Sequence, residues 1–152
     1  MDKGYISGLF DGEGCIVINK RTRDITLQKD NPRIEYTLSI MIGIINKDVL
    51  ANLATIFGGT VTKRHNGKNF PVYSWTITNN LRAKNFIETV LPYSRIKKSQ
   101  LLLALEFIEC CKRQKIELKS KSPYRNHKQL SQEQYEERER YRIRMQQLKR
   151  EI

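Results

Sequence analysis

Residues 4–14 carry the most suggestive chemistry in the sequence, because glycines and acidic residues are interspersed there with apolar ones. Gly4, Gly8 and Gly12 recur every four residues and would line one edge of a helix that ends near Glu13. A second helix can approach such an edge closely, since no side chains keep the backbones apart. If two copies met there, two Glu13 carboxylates would converge on a hard cation such as Mg²⁺, which can activate water beside a phosphate. The alternative is a glycine-rich turn with two solvated acids.

The elements that would position this segment follow from hydrophobic periodicity and capping residues. We predict the order αββαββα followed by a helical tail, which is an α+β fold. Its four-stranded antiparallel sheet would carry helices on one face. The predicted helices cover 3–11, 46–57, 80–90 and 94–115, the strands 15–23, 33–45, 60–66 and 71–78, and the tail helix 131–150.

The chain is long enough for one core domain and too short for two. We place that domain at 1–116 and a basic region at 117–152. The latter begins with a linker at 117–130 that contains Pro123, and a capping box at Ser131–Gln134 starts its helix. The arginines of this tail helix could lie along a bound polyanion, or the helix could pack on its own domain.

The net charge of +12 is unevenly distributed. Residues 1–60 are balanced, whereas residues 61–100 carry eight basic groups and one acidic group. This asymmetry predicts a polyanion such as nucleic acid as a partner, although composition alone leaves open a soluble protein that happens to be basic. Three cysteines without metal-ligand spacing and no long apolar run predict an intracellular protein without a membrane partner.

Strand alternation separates an apolar face of the sheet from a polar one. In residues 33–42 the apolar side chains occupy every second position, so helices would cover that face and the other would be free. A twisted β-ribbon fits the DNA major groove, so we predict base contacts from the free face. The alternative is a polar face that only meets water, and a one-residue slip would exchange the faces. The predicted DNA-binding residues are Asn19, Arg21, Arg23, Arg33, Glu35, Thr37, Ser39, Thr62, Arg64, Ser74 and Thr76.

Residues 6–14, Ile-Ser-Gly-Leu-Phe-Asp-Gly-Glu-Gly, resemble the signature nonapeptide of the LAGLIDADG homing endonucleases. Ile replaces the first Leu, Ser replaces Ala, and Gly replaces the second Ala. The predicted element order also matches that of the family's domain, so the resemblance covers about residues 2–115. The tail after residue 117 lies outside it.

The resemblance implies a role for each matching position. Glu13 would bind the catalytic metal and the attacking water, with the carbonyl of Gly12 as a second ligand. Asp11 would be structural at the end of the helix. Asn46, which follows the second strand, and Lys97, which follows Leu91-Pro-Tyr, would complete the catalytic set. Without the resemblance, Lys97 and its neighbour Lys98 would be ordinary solvated lysines.

The resemblance further implies a homodimer that makes double-strand breaks in a long, pseudo-palindromic DNA site. Its cofactor would be Mg²⁺, with Ca²⁺ or Mn²⁺ as substitutes. It would act in the compartment that holds its target genome, either an organelle or the prokaryotic cytoplasm. An RNA-splicing maturase and a non-cleaving DNA-binding regulator remain alternatives on the same fold. The predicted dimer contact comprises Gly4, Ser7, Gly8, Asp11 and Gly12.

Overall fold

The predicted order of helices and strands is confirmed along the chain. The computed structural model describes residues 1–23, 33–64, 71–121 and 130–152. The helices are α1 (Lys3–Glu13), α2 (Lys47–Phe57), α3 (Asn80–Val90), α4 (Lys98–Lys121) and α5 (Gln132–Arg150), and the strands are β1 (Gly14–Arg23), β2 (Arg33–Ile44), β3 (Thr60–Arg64) and β4 (Val72–Ile77). The turn predicted at 24–32 and the hairpin loop predicted at 66–69 lie outside the described residues.

The strands form an antiparallel sheet in the order β1-β2-β4-β3. In β1 and β2, Gly14 pairs with Ile42 and Asn19 with Thr37. Strand β4 lies between β2 and β3, and its Thr76 pairs with Met41 on one side and with Thr60 on the other. Directly paired residues point to the same side of a sheet, so this register fixes the two faces.

The apolar face of the sheet packs against helices, and aromatic rings fill the space between the layers. Phe86 of α3 lies at the centre of this cluster, with its ring 5.4 Å from Phe10, 5.2 Å from Phe57 and 5.2 Å from Trp75. The indole N–H of Trp75 donates to the carbonyl of Gly58 at 2.8 Å, so its polar atom is satisfied although the side chain is fully buried. Burial of Trp75 confirms the predicted strand register.

Helix α4 departs from the prediction at both ends. It begins at Lys98 rather than at 94. The preceding backbone N–H groups, from Arg95 to Lys97, donate instead to the carboxylate of Asp11. It continues to Lys121, so the linker predicted from 117 is helical over its first five residues. Its polar, basic composition did not prevent helix formation because Lys, Glu and Leu are good helix formers.

The tail helix α5 packs on its own domain. Met145 and Leu148 are buried, and Tyr141 stacks edge-on against Phe107 of α4 with the ring centroids 5.8 Å apart. The Tyr36 hydroxyl of β2 donates to Glu139 at 2.7 Å. The predicted capping box at the start of α5 is confirmed. Among the described helices, none combines the length and apolarity that a bilayer-spanning segment requires.

Candidate active site

The C-terminal half of α1 is tied to the segment that precedes α4 by the Asp11 side chain. Its carboxylate accepts hydrogen bonds from the Ser94 hydroxyl at 2.6 Å and from the backbone N–H groups of Arg95, Ile96 and Lys97 at 2.7, 3.2 and 3.2 Å. Burial pushes the pKa of the Asp11 carboxyl upward, but these four hydrogen bonds outweigh burial and hold the pKa below its ordinary value. Asp11 is thus a structural anchor that fixes where residue 97 lies.

Lys97 lies over the end of α1 as a result. Its ammonium donates to the backbone carbonyls of Phe10, at 3.0 Å, and of Asp11, and it also lies 5.6 Å from the centre of the Phe10 ring. A cation is stabilised at this place because the last carbonyls of a helix carry partial negative charge. Burial nevertheless lowers the pKa of Lys97, and the negative groups around it, led by Asp11, compensate only in part. The structure therefore brings Lys97 to the glycine-acid segment, 84 positions away from Glu13 in the sequence.

Glu13 is the last residue of α1, and its side chain is exposed. Within the described part of the chain, its carboxylate has no hydrogen bond or ion pair, so its oxygens are available to an incoming ligand. The Glu13 carboxylate and the Gly12 carbonyl are hard oxygen donors of the kind that Mg²⁺ and Ca²⁺ take, so they fit such an ion. No group of three His, Cys, Asp or Glu side chains suited to a metal occurs among the described residues. Since the Asp11 carboxylate is committed to residues 94–97, the described part of the subunit offers the Glu13 carboxylate alone at this end of α1.

The glycine edge of α1 faces outward from the subunit. Gly4, Gly8 and Gly12 are exposed, and a Cβ atom added at Gly8 or Gly12 would meet no other atom within 4 Å. The described part of the subunit gives no packing reason for glycine at these two places. Exposed glycine inside a helix lowers stability by about 1 kcal/mol relative to alanine, so glycine at these two places is unfavourable for the helix taken by itself.

Two residues predicted for the dimer contact are engaged within the subunit instead. Ser7 is buried, and its hydroxyl donates to the carbonyl of Val90 at 3.1 Å, so the prediction that it faces a partner is corrected. It points inward because each helical residue is rotated by about 100° from the next, which turns Ser7 away from Gly8 and toward the side of α1 that meets α3. Asp11 is half-buried, with its carboxylate already committed to residues 94–97.

Asn46 lies at the start of α2, just beyond the end of β2. Its side-chain oxygen caps the helix by accepting from the N–H groups of Asp48 at 3.0 Å and Val49 at 3.2 Å. It follows Ile42, the partner of Gly14 in the sheet, by four residues, which brings this end of β2 to the end of α1. Its predicted catalytic role stays a prediction.

The register gathers the predicted DNA-binding positions on the sheet face that the described helices leave uncovered. Asn19 pairs with Thr37 and Arg21 with Glu35 in β1 and β2, and Thr62 pairs with Ser74 in β3 and β4. The positions placed together on this face are 19, 21, 23, 33, 35, 37, 39, 62, 64, 74 and 76.

Two of these side chains are set deeper than the others. Ser39 is 6% and Ser74 is 2% exposed, although they belong to the polar face. The Ser39 hydroxyl accepts from the Asn19 amide at 2.9 Å. Close packing by neighbouring strands reduces their exposure, so they shape the floor of this face, whereas Asn19, Arg21, Thr37, Thr62 and Arg64 project from it.

Two contacts at this site involve residues that the sequence analysis did not select. Ser94 donates to Asp11, and the ammonium of Lys149 in α5 lies 3.1 Å from the Cys15 sulfur. No local pattern marks either residue, because their partners are 83 and 134 positions away. Only the packed structure brings them to the end of α1.

Comparisons with known proteins agree with this architecture. A family model described as LAGLIDADG endonuclease matches residues 6–111. The DNA endonuclease I-CvuI of Chlorella vulgaris is 26% identical over 106 residues, which are 69% of this chain and 62% of that protein. The match thus spans about three fifths of the length of that relative.

Solved structures show the same fold. I-CvuI, crystallised with the I-CreI target and 2 mM Mg without cleavage of the DNA, superposes with a TM-score of 0.72 at 20% identity and covers 96% of this chain and 80% of that one. Another I-CvuI crystal structure contains its own target and 2 mM Ca. The homing endonuclease I-TnaI gives a TM-score of 0.69 at 19% identity and covers 99% of this chain and 95% of that chain. These superpositions confirm the predicted α+β fold class.

Proposed function

Because this chain belongs to the LAGLIDADG endonuclease family, we propose that it is a homing endonuclease that cuts both strands of a specific DNA site. The observation that carries the proposal is the end of α1. There an exposed glutamate without a partner among the described residues lies beside Lys97 and an open glycine edge. Family membership supplies the class of reaction, and this geometry supplies the residues that would perform it.

The cutting form is a homodimer joined through the edge formed by Gly4, Gly8 and Gly12. Two reasons support this assembly. Bare helix edges pack closely against each other, and no described residue of the same subunit lies against the place where a Cβ of residue 8 or 12 would be. Among its described residues a single subunit also contributes one uncommitted carboxylate here, that of Glu13, whereas helices paired about a two-fold axis would bring two Glu13 side chains together. A symmetric dimer implies a roughly palindromic target.

Glu13 and the Gly12 carbonyl would hold the divalent cation. When bound, Mg²⁺ supplies Lewis-acid chemistry that lowers the pKa of water and offsets phosphate charge. The crystals of I-CvuI with Mg and with Ca are consistent with such a site in this fold. Lys97 presents an ammonium to the negative charge that builds up on the phosphate during hydrolysis, and Asp11 keeps that ammonium in place by binding the backbone of residues 94–97.

The uncovered sheet face would lie in the major groove. Its projecting Asn, Arg and Thr side chains are donors and acceptors suited to base edges. The buried Ser39 and Ser74 would leave the middle of the face shallow enough for the duplex to approach. The excess of positive charge over residues 61–100 would add phosphate attraction that does not depend on sequence. The protein would act in the compartment that contains its target genome.

The experiment is cleavage of a plasmid that carries the uninterrupted sequence into which this gene is inserted, incubated with Mg²⁺. We expect linear product from the wild type and none from Glu13→Gln, which keeps the size of the side chain but removes its charge. Binding of Glu13→Gln to the same DNA in Ca²⁺ should stay within a few-fold of wild type. Glu106→Gln, which removes an exposed acid from α4, is the matched control and should cut normally.

The alternatives predict different results in the same assay. A DNA-binding regulator would bind the site without cutting it. A maturase would promote splicing of its intron RNA whether or not it cuts DNA. Equal loss of binding and cutting in Glu13→Gln would contradict the metal-binding role of Glu13.

A further inference from the structure

Lys149 brings a positive charge from the tail helix to the candidate active site. It lies in the last turn of α5, outside the residues 6–111 that match the family model. Its ammonium nevertheless lies 3.1 Å from the sulfur of Cys15, which comes two residues after Glu13. Cys15 pairs with Met41 and so belongs to the same sheet face as Asn19. The ammonium is therefore at the edge of the proposed DNA-binding face, close to the end of α1.

The position of Lys149 is fixed by the packing of α5. Its neighbour Leu148 is 9% exposed, and Met145, one turn earlier, is 1% exposed and belongs to the hydrophobic core. These contacts hold the backbone of the last turn against the domain. Lys149 is thus presented by an ordered helix, unlike a lysine on a free chain end, so no backbone segment has to become ordered when a ligand binds.

Lys149 and Lys97 form a pair of like charges at this place. Burial lowers the pKa of Lys97, and the nearby Lys149 ammonium lowers it further, whereas Asp11, Cys15 and Glu13 act in the opposite direction. Among the described residues no carboxylate forms an ion pair with Lys149. Two ammonium groups within electrostatic reach of each other repel, and an anion bound between or beside them relieves that repulsion.

We propose that Lys149 binds a backbone phosphate of the DNA, next to the phosphate at which Glu13 would act. The tail helix is then part of the DNA-binding apparatus, although it packs as a structural element. This inference rests on the proposed function, because it takes the DNA to lie across the sheet and the end of α1. Phosphate is the fitting ligand, since a lysine ammonium binds it as a point charge and the duplex presents phosphates along both edges of the groove.

The test compares Lys149→Gln, Lys149→Arg and the control Arg150→Gln, which removes the same charge from the next, exposed residue. Binding to a duplex with the insertion sequence is measured by fluorescence anisotropy in Ca²⁺ over KCl from about 50 to 200 mM. In Lys149→Gln the slope of log affinity against log salt should become shallower by about 0.9 for each subunit bound, because one phosphate contact is lost. Lys149→Arg should keep the wild-type slope, and Arg150→Gln should change it by less than half as much. Melting curves verify that all variants are folded.

Single-turnover cleavage in Mg²⁺ separates this inference from the proposed function. Lys149→Gln should cut about ten-fold more slowly, as expected from loss of a charge-assisted hydrogen bond. A wild type that binds but never cuts contradicts the nuclease proposal, while the salt slopes still decide the role of Lys149. Equal slopes for Lys149→Gln and Arg150→Gln overturn the phosphate contact, and so does a wild type that does not bind the duplex.

Discussion

Replacing Gly8 by leucine should separate folding of the subunit from its self-association. Gly8 is exposed, and among the described residues of the subunit a Cβ added there would meet nothing within 4 Å, so a larger side chain can begin at this position without a clash. Leucine is also a far better helix former than glycine, and the exposed substitution should stabilise α1 by about 0.8 kcal/mol. On the subunit alone, Gly8→Leu is therefore neutral or favourable.

The same substitution should disrupt the proposed dimer. Overpacking of a close contact costs about 1–3 kcal/mol per site, and two-fold symmetry applies it twice, for a total of about 2–6 kcal/mol. The dimer dissociation constant should then rise at least about 30-fold. Because each subunit supplies one Glu13, double-strand cleavage at dilute protein should fall by a similar factor.

Light scattering after size exclusion measures the association state, and melting measures stability. The wild-type Tm should rise with protein concentration because a dimer is favoured by mass action, whereas that of Gly8→Leu should not. Asn52→Leu is the control, since it puts the same side chain on an exposed position of α2 away from the glycine edge. A Gly8→Leu protein that remains dimeric at wild-type concentrations would refute the assignment of this edge to the dimer.

Three further substitutions test single contacts. Asp11→Asn places an amide NH₂ against backbone N–H donors, so it should lower the free energy of unfolding by about 2 kcal/mol. It should also slow cleavage, because Lys97 would be displaced. A wild-type cleavage rate would contradict the anchoring role of Asp11. Glu139→Gln should lower stability by about 1 kcal/mol at neutral pH, measured by urea unfolding against Glu106→Gln as control. The hydrogen bonds that Glu139 accepts, first that from Arg142, lower its pKa from 4.5 to about 2. The stabilisation is therefore fully present above pH 4.5, and the stability difference between Glu139→Gln and the wild type should vanish as the pH falls toward 2. Gly59→Ala should lower the free energy of unfolding by more than about 1 kcal/mol, because φ is +92° and the new Cβ would lie 2.6 Å from the backbone carbonyl oxygen of Thr76. An unchanged Tm would contradict this prediction and show that the backbone relaxes at this position.

The helices and strands were predictable because their signals are local. Alternation over residues 33–42 identified the buried face of β2, and Asn46 and Ser131 marked helix starts that the structure has. The glycine edge of α1 was also readable, since a period of four residues places side chains on one side of a helix wherever that helix lies. The resemblance of residues 6–14 to the family signature then supplied a chemical role for Glu13.

Contacts between distant segments were decided only by the tertiary structure. The inward position of Ser7, the four hydrogen bonds on Asp11 and the start of α4 at Lys98 all depend on which loop lies against α1. Lys149 next to Cys15 depends on how α5 docks on β1. Periodicity reports which side of an element is buried, but not against what it is buried. A side-chain hydrogen bond across 80 or more residues needs two elements placed to within an ångström, and that placement comes from packing of the whole core.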